Sequence, residues 1–548
     1  MKQDPTQASR SVAVVGAGPG GLACAMQLAA RGARVRIYEA QPHVGGRTSR
    51  LTLAGTSGQY HFDRGPTFFL MPYVLDEVFQ AAGLRLADHA ELTRLDPMYR
   101  LILGRPNQPP LVLDATQDLE EMSRRIGAIS PRDGRAFAGF IAENRAKLRA
   151  AEPILRRPIR SPADLLRRDA LAALPHIRPH LSVHDLLARW FEHPQIRLAL
   201  GFQSKYLGMS PFDCPSLFTI LPFIEYEYGV WHVAGGLNRL THAMARACRS
   251  LGVEILTDAP VQRLTFQGNR CTGVVVGGVH QPHEHVVLNA DAPWALRNLL
   301  PTEALRRVHG YASTQAIDRK RYSCSTAMLY LGLAGTVHLP HHTIYVSARY
   351  RENLQEIATL GTLSEDPSAY VCNPVATDPS MAPAGCSALY VLMPTPNLRT
   401  APGLAHQGQA MQQAMLDQLS GVFGIEDLPR RIECQQLVTP SDWAAMNIHF
   451  GATFSLAHNL GQMLHNRPRH RLQGLEGVWM VGSGTHPGSG LPVIFLSSQI
   501  TSAMLGDRLG LAPAPRPAPG LPTPAVADRV AEGRIVSDTA ADAPQPVG

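Results

Sequence analysis

Along residues 11 to 40, SVAVVGAGPGGLACAMQLAARGARVRIYEA, the apolar pattern changes rhythm three times. A continuous apolar run, SVAVV, stops at a glycine cluster; a helix-compatible stretch follows; then an alternating run ends at Glu39. This order predicts strand, turn, helix and second strand. From about residue 76 to 230 the pattern turns helix-compatible, as in VHDLLARWFEHPQIRLALGFQ, and a separate helical or mixed lobe is expected there. Strand-like runs return at VEILTDAPVQRLTFQGNRCTGVVVGG, VVLNAD, STAMLYLGL and SALYVLMP. After Leu511 the sequence LAPAPRPAPGLPTPAVADRV offers few large apolar groups, so residues 511–548 are expected to form a disordered Pro/Ala-rich tail. Two uncharged stretches, Ser11 to Ala30 and Gly477 to Gly506, approach the length of a membrane span. Their Gly and Pro clusters would leave backbone groups unpaired in lipid, so neither is expected to cross a bilayer.

Length adds that 548 residues exceed what one core supports, and two lobes are expected. The basic excess, 51 Lys plus Arg against 44 Asp plus Glu, permits contact with an anionic membrane. It is spread without a dense basic block, and no nucleic-acid partner is expected. The eight cysteines stand singly, without C-x-x-C spacing, which suits a reduced, cytoplasmic protein with no metal site. The opening MKQDPTQASR is not followed by a turn-free apolar segment, so a secretory signal is not expected.

The glycine cluster carries the first chemistry. Gly16, Gly18 and Gly21, with Pro19 and Gly20 between them, follow a strand and open a helix, and Glu39 ends the next strand eighteen residues beyond Gly21. In that context Gly16 permits a tight turn, Gly18 lets backbone approach a pyrophosphate, and Gly21 lets helix and strand pack closely. The helix N-terminus offers free amides to phosphate. Glu39 suits the two hydroxyls of an adenosine ribose, which favours FAD or NAD over NADP.

VGGR at 44–47 and FDRGP at 62–66, with the opening fingerprint, resemble the flavin-dependent amine oxidase and phytoene desaturase superfamily. YLGMSPFDCPSLFTILPFIEYEYGVWHVAGGLNRL, from Tyr206, is similar to the bacterial phytoene desaturases, and GVEILTDAPVQRL, VVLNAD and GSGTHPGSGLP follow in family order. The resemblance implies an α/β fold: a Rossmann-like, three-layer FAD-binding domain (11–75, 232–300 and 472–510) and a mixed-sheet substrate domain (76–231 and 301–471). Within the latter it implies a helical, membrane-facing lobe at about 120–215. It also implies that Gly45, Gly46 and Arg47 close over the FAD phosphates and that Gly65 and Pro66 lie near the flavin. Val261 would meet the adenine edge through its backbone, and Gly482, Ser483 and Gly484 would pass the ribityl chain. Gly490, Leu491 and Pro492 would start a helix whose amide end faces the isoalloxazine ring and stabilises negative charge on the reduced flavin.

The implied reaction removes two hydrogens across a carbon–carbon single bond of a long polyene, with a hydride going to FAD and a proton lost from the next carbon. Oxygen or a quinone would reoxidise the flavin. Such a substrate has no polar handle, so shape and register in an apolar tunnel must set specificity. Phe218, Phe223, Tyr226, Trp231, Val493 and Phe495 are tunnel candidates, against a plain core role for the aromatic cluster. His486 either meets the flavin or tunnel or is a structural turn residue, and Glu225, with Glu227, either supplies an acid or base or is structural. Residues 145–168, RAKLRAAEPILRRPIRSPADLLRR, suit a monotopic surface on anionic lipid or a solvated helix face, and peripheral membrane association is expected. The tail of the last motif, GLPVIFLSSQ, departs from the family pattern at Val493, Ile494 and Phe495. Substrate length, thirty or forty carbons, stays open, as do the number of desaturations and the oligomeric state. Also open are a terminal oxidase or isomerase of the same family, an amine oxidase, and a non-catalytic prenyl-lipid carrier of the GDP-dissociation-inhibitor fold.

Overall fold

A computed structural model describes residues 11–513, 521–522 and 527–529. The first strand, Ser11–Val15, lies at the centre of a five-stranded parallel sheet. Its neighbours are Arg34–Tyr38 and Glu254–Leu256 on one side, and His285–Leu288 and Val478–Met480 on the other. Strand alternation divides the side chains between two cores. Val12 and Val14 pack under the helices Pro19–Ala30, Asn238–Ser250 and Leu491–Arg508, while Ala13 and Val15 face a three-stranded antiparallel sheet, 261–282, and the helix Ala292–Leu299. The result is three layers, with the parallel sheet between helices and a second sheet.

A seven-stranded mixed sheet forms the other half of the molecule. Its order is Ile432–Val438, Ser325–Leu333, Ser387–Thr395, Ala369–Cys372, His342–Val346, Tyr99–Arg105 and Gln108–Ala115. The last two strands come from the stretch expected to be helical or mixed. Tyr99, Leu101 and Leu103 are buried, because the hairpin docks parallel onto His342–Val346 through pairs such as Leu101 with Ile344. That partner is some 240 residues away in the chain, and no local pattern announces it.

The helical lobe contains Leu119–Ile129, Pro131–Leu155, Arg168–Ile177, Val183–Trp190 and Pro194–Ala199. In the basic segment 145–168 several charges turn inward. Arg145 pairs with Glu227, Arg156 with Glu77 and Glu152, and Arg157 with Asp169, while Lys147 is buried against Thr219 and Asn144. The exposed apolar groups lie slightly further on: Leu166 is 72%, Leu171 46% and Leu174 51% exposed.

Among the described residues no helix is long and apolar enough to cross a membrane. Leu511, Leu521 and Ala527, from the stretch expected not to pack, rest against the main core; residues 514–520, 523–526 and 530–548 lie outside the described residues.

Candidate active site

A single cavity of about 880 Å³ runs from the carboxyl ends of the parallel strands to the face of the seven-stranded sheet. At one end it is walled by Gly16, Gly18, Glu39, Gly46 and Arg47, together with Asn289, Gly482 and Gly490. At the other, Leu221, Ile224, Met328, Ile344, Tyr370 and Leu392 are among its lining residues.

The polar end is shaped by backbone. Packing at Gly21 leaves no room for a side chain, since a β-carbon there would lie 2.2 Å from the Gly16 carbonyl oxygen. Gly18 caps the helix Pro19–Ala30 without a side-chain hydrogen bond, and Pro19 at the first position has no amide to leave unpaired. Gly490 caps Leu491–Arg508 in the same bare way, so two helix N-termini present free amides to one cavity. The turn at 45–48 lies across the first: the Gly45 amide donates to the Ala17 carbonyl at 2.9 Å, and positive φ values of 111° and 53° at Gly45 and Gly46 make the bend. Glu39 accepts from the amides of Ala17 at 2.6 Å and Gln41 at 2.9 Å, which holds its carboxylate at the rim.

Arg47 is open to the cavity, and its partners are uncharged. It donates to the Thr453 carbonyl and, at 3.2 Å, to Ser483 Oγ. Burial lowers its pKa, offset in part by Asp291. Arg467, fully buried, donates to the carbonyls of Leu456 at 3.2 Å and Ser483 at 3.4 Å, and burial lowers its pKa to about 10. Two guanidinium groups therefore clamp the 482–484 turn. Bare helix ends, a glycine cradle and a guanidinium hydrogen-bonded to uncharged groups suit a dinucleotide pyrophosphate, so the residues present fit FAD or a related cofactor.

Gly16, Gly18, Pro19, Gly20, Glu39, Gly46, Arg47, Gly65, Pro66, Val261, Gly482, Ser483, Gly490, Leu491 and Pro492 all line the cavity. Gly21, Gly45 and Gly484 stand just behind the wall, Gly484 against Ala292.

The expected tunnel residues divide differently. Val493 lines the cavity; Phe218, Phe223, Tyr226, Trp231 and Phe495 do not. The helix Ile220–Tyr228 explains most of this. Leu221 and Ile224, three apart, face the cavity, so Phe223 and Tyr226 point back, Phe223 under Arg145 and Tyr226 edge-on to Phe137. Trp231 is buried with its Nε1 donating to the Tyr228 carbonyl at 2.8 Å, Phe218 meets His458 edge to face, and Phe495 sits in the core.

His486 also faces away from the cavity. Its Nε2 lies 2.9 Å from the Ile154 carbonyl, and burial lowers its pKa to about 4, leaving it neutral. Glu225 is fully buried behind the wall. Its Oε2 accepts from Tyr99 Oη at 2.9 Å and Gln203 Nε2 at 3.1 Å, and burial raises its pKa to about 7. Its neighbour Glu227 is held by Arg145.

Several wall residues escaped the sequence reading. Asn289, inside VVLNAD, donates from Nδ2 to the Gly16 carbonyl at 3.1 Å and braces the glycine turn. Lys205 and Cys324 line the apolar end, where burial lowers the Lys205 pKa. Phe68, directly after Gly65, Pro66 and Thr67, stacks on His342 with centroids 4.1 Å apart. The nearby FDRGP motif was the available signal for Phe68; Lys205 had none.

Comparison with known proteins agrees with this architecture. The family of flavin-containing amine oxidoreductases matches residues 19 to 502. A 4,4'-diapophytoene desaturase (4,4'-diapolycopene-forming) from Methylomonas is 38% identical, covering 91% of this chain and 96% of its own. An all-trans-zeta-carotene desaturase from Myxococcus xanthus is also 38% identical, covering 92% and 95%. Among solved structures, an oxidoreductase from Methanosarcina mazei superposes with a TM-score of 0.60 at 15% identity, covering 89% of this chain and 98% of its own. Cyclohexylamine oxidase from Brevibacterium oxydans gives 0.56 at 15%, covering 91% and 99%.

Proposed function

Because the chain belongs to the flavin-containing amine oxidoreductases, and within them to the carotenoid desaturases, we propose that it dehydrogenates a long acyclic polyene precursor with FAD as cofactor. The observation that carries this reading is the continuity of one cavity from a dinucleotide-like cradle into an apolar chamber. When bound, FAD accepts the hydride that leaves the substrate.

The chain's own residues do the rest. Gly16, Gly18 and Gly46 would bring backbone to the pyrophosphate, with Gly45 behind them making the bend, Arg47 would face it, and Glu39 would take the ribose hydroxyls. The amide end of Leu491–Arg508 favours negative charge at the reduced ring. Met328, Ile344, Leu392 and Val493 hold the hydrocarbon in register and keep the site dry. Lys205 on the wall of the apolar end works against a protonated amine as substrate.

A relative named for diapophytoene and one named for zeta-carotene are each 38% identical to this chain, so identity does not choose chain length. The substrate reaches such a site from a bilayer. Exposed Leu166, Leu171 and Leu174, among Arg160, Arg167 and Arg168, suit shallow insertion into an anionic leaflet, with oxygen or a membrane quinone as terminal acceptor.

The test is to express the chain in hosts making thirty- or forty-carbon precursors and to separate the pigments. More conjugated products in either host are expected; unchanged precursor in both refutes the desaturase reading. Replacing Leu166, Leu171 and Leu174 with Ser should reduce binding to anionic vesicles at least tenfold, and unchanged binding would remove the membrane surface.

A further inference from the structure

A pure hydrocarbon gives a binding site nothing to hydrogen-bond, yet three polar side chains gather on the wall of the apolar end. Lys205 comes from the turn Phe202–Leu207, Cys324 stands just before the strand Ser325–Leu333, and Tyr350 opens the helix Tyr350–Gln355; all three line the cavity. The Cys324 amide donates to the Gly208 carbonyl at 3.2 Å, which ties the first two segments together, and Cys324 lies within electrostatic reach of both Lys205 and Tyr350. Tyr350 is buried, and its hydroxyl has no hydrogen-bond partner. Half-buried Lys205 makes no hydrogen bond or ion pair through Nζ among the described residues. Burial lowers its pKa, and Cys324 opposes that shift.

These groups share one polarity. A lysine ammonium only donates, and burial raises the pKa of both Tyr350 and Cys324, which keeps hydroxyl and thiol protonated and able to donate. The carboxylates on the cavity wall, Glu39 and Asp291, stand at the dinucleotide end with amide donors of their own. Donors without an acceptor are costly in a dry site, an unpaired ammonium most of all. The ligand that removes this cost brings oxygen lone pairs and a negative charge, and a carboxylate beside Lys205 would raise its pKa again.

Resting on the polyene reading for what fills the chamber, we propose that Lys205 and Tyr350, with Cys324 beside them, form a site for the carboxylate end of a long apolar chain, a polyene acid taken in addition to the hydrocarbon. Lys205 Nζ pairs with one carboxylate oxygen, the Tyr350 hydroxyl donates to the other, and the apolar tail lies along Leu221, Ile224, Met328 and Ile344. A membrane fatty acid carries the same end group. A held end sets register by counting carbons from Lys205, a task that shape alone must perform for an unsubstituted hydrocarbon.

The probes are all-trans-retinoic acid, its methyl ester and palmitic acid, each offered in detergent micelles to the full-length protein loaded with FAD, with bound ligand measured by equilibrium dialysis. Wild type should hold retinoic acid at least about tenfold more tightly than the ester, the size of a hydrogen bond to a charged group. Lys205→Met should abolish that gap, Tyr350→Phe should narrow it, and Lys205→Arg, which keeps the charge, should retain part of it. Melting temperatures separate loss of binding from loss of fold; where Lys205→Met does not fold, Tyr350→Phe and Lys205→Arg carry the same comparison. Equal affinity for acid and ester in the wild type would overturn the site, as would a gap that survives in Lys205→Met. Palmitic acid bound as tightly as retinoic acid, with the same dependence on Lys205, would support the carboxylate site and overturn the polyene acid as its ligand. Binding is read without turnover, so a protein inert toward every polyene would overturn the functional reading and leave the carboxylate site standing.

Discussion

The two ends of the cavity are built from different materials. At the dinucleotide end the wall is backbone: glycines, bare helix termini and a turn laid over a turn, nearly all from three short motifs. At the hydrocarbon end it is side chains from the helix Ile220–Tyr228, the segment 202–207, several strands of the seven-stranded sheet and the start of the C-terminal helix. Much of the backbone wall resists substitution: a β-carbon at Gly16 or Gly21 would lie 2.9 Å or 2.2 Å from a carbonyl oxygen, and positive φ at Gly46, Gly482 and Gly490 strains any other residue. A side-chain wall can be retuned one residue at a time, as suits a site for a chain without polar handles.

The largest effect should come from the backbone wall. Gly21→Val sets a branched side chain where even a β-carbon would be 2.2 Å from the Gly16 carbonyl, and the purified protein should carry no flavin and lose about 3 kcal/mol or more of stability. Retained yellow colour and normal melting would break the contrast between the two ends. Next, Phe495→Ala should cost about 3–4 kcal/mol in denaturant unfolding while leaving the product pattern of residual enzyme unchanged, because Phe495 lies in the core. A changed pattern would return Phe495 to the tunnel. Arg47→Met should weaken FAD binding about tenfold to a hundredfold in a fluorescence titration, the size of a hydrogen bond to a charged group.

Glu225→Gln sharpens the apolar end through pH. The folded-state pKa of about 7 lies above the ordinary value of 4.5, so folding binds a proton: stability from this group is complete below about pH 4.5 and is lost as pH rises through 7. The amide should remove that slope and make the protein more stable than wild type at pH 8, by up to about 3 kcal/mol. Equal pH dependence in thermal melts of the two proteins would show that Glu225 titrates normally. The smallest effect is expected at Val493→Ala: stability within about 1 kcal/mol of wild type, but a shifted product ratio between thirty- and forty-carbon precursors.

Particular elements show what was legible. The strand, turn, helix and strand over residues 11–39 could be read because each part is local and the glycine spacing has a mechanical reason. The strand Val478–Met480 and the helix from Leu491 were legible through the family resemblance of their motif. The hairpin at 99–115 was missed because its docking strand is remote, and for Phe223 and Tyr226 tunnel and core stayed open because composition does not say which face of a helix meets a cavity. Asn289 lay inside a recognised motif, yet its hold on Gly16 exists only once the strand His285–Leu288 is beside Ser11–Val15.

The sequence by itself determined the cofactor cradle, since phosphate recognition uses amides and turns that short local motifs encode. Only the tertiary structure decided the hydrocarbon chamber, where Leu221, Met328, Ile344, Leu392 and Val493 from distant segments share one wall. Packing between distant segments sets that wall, and no short stretch of chain contains it.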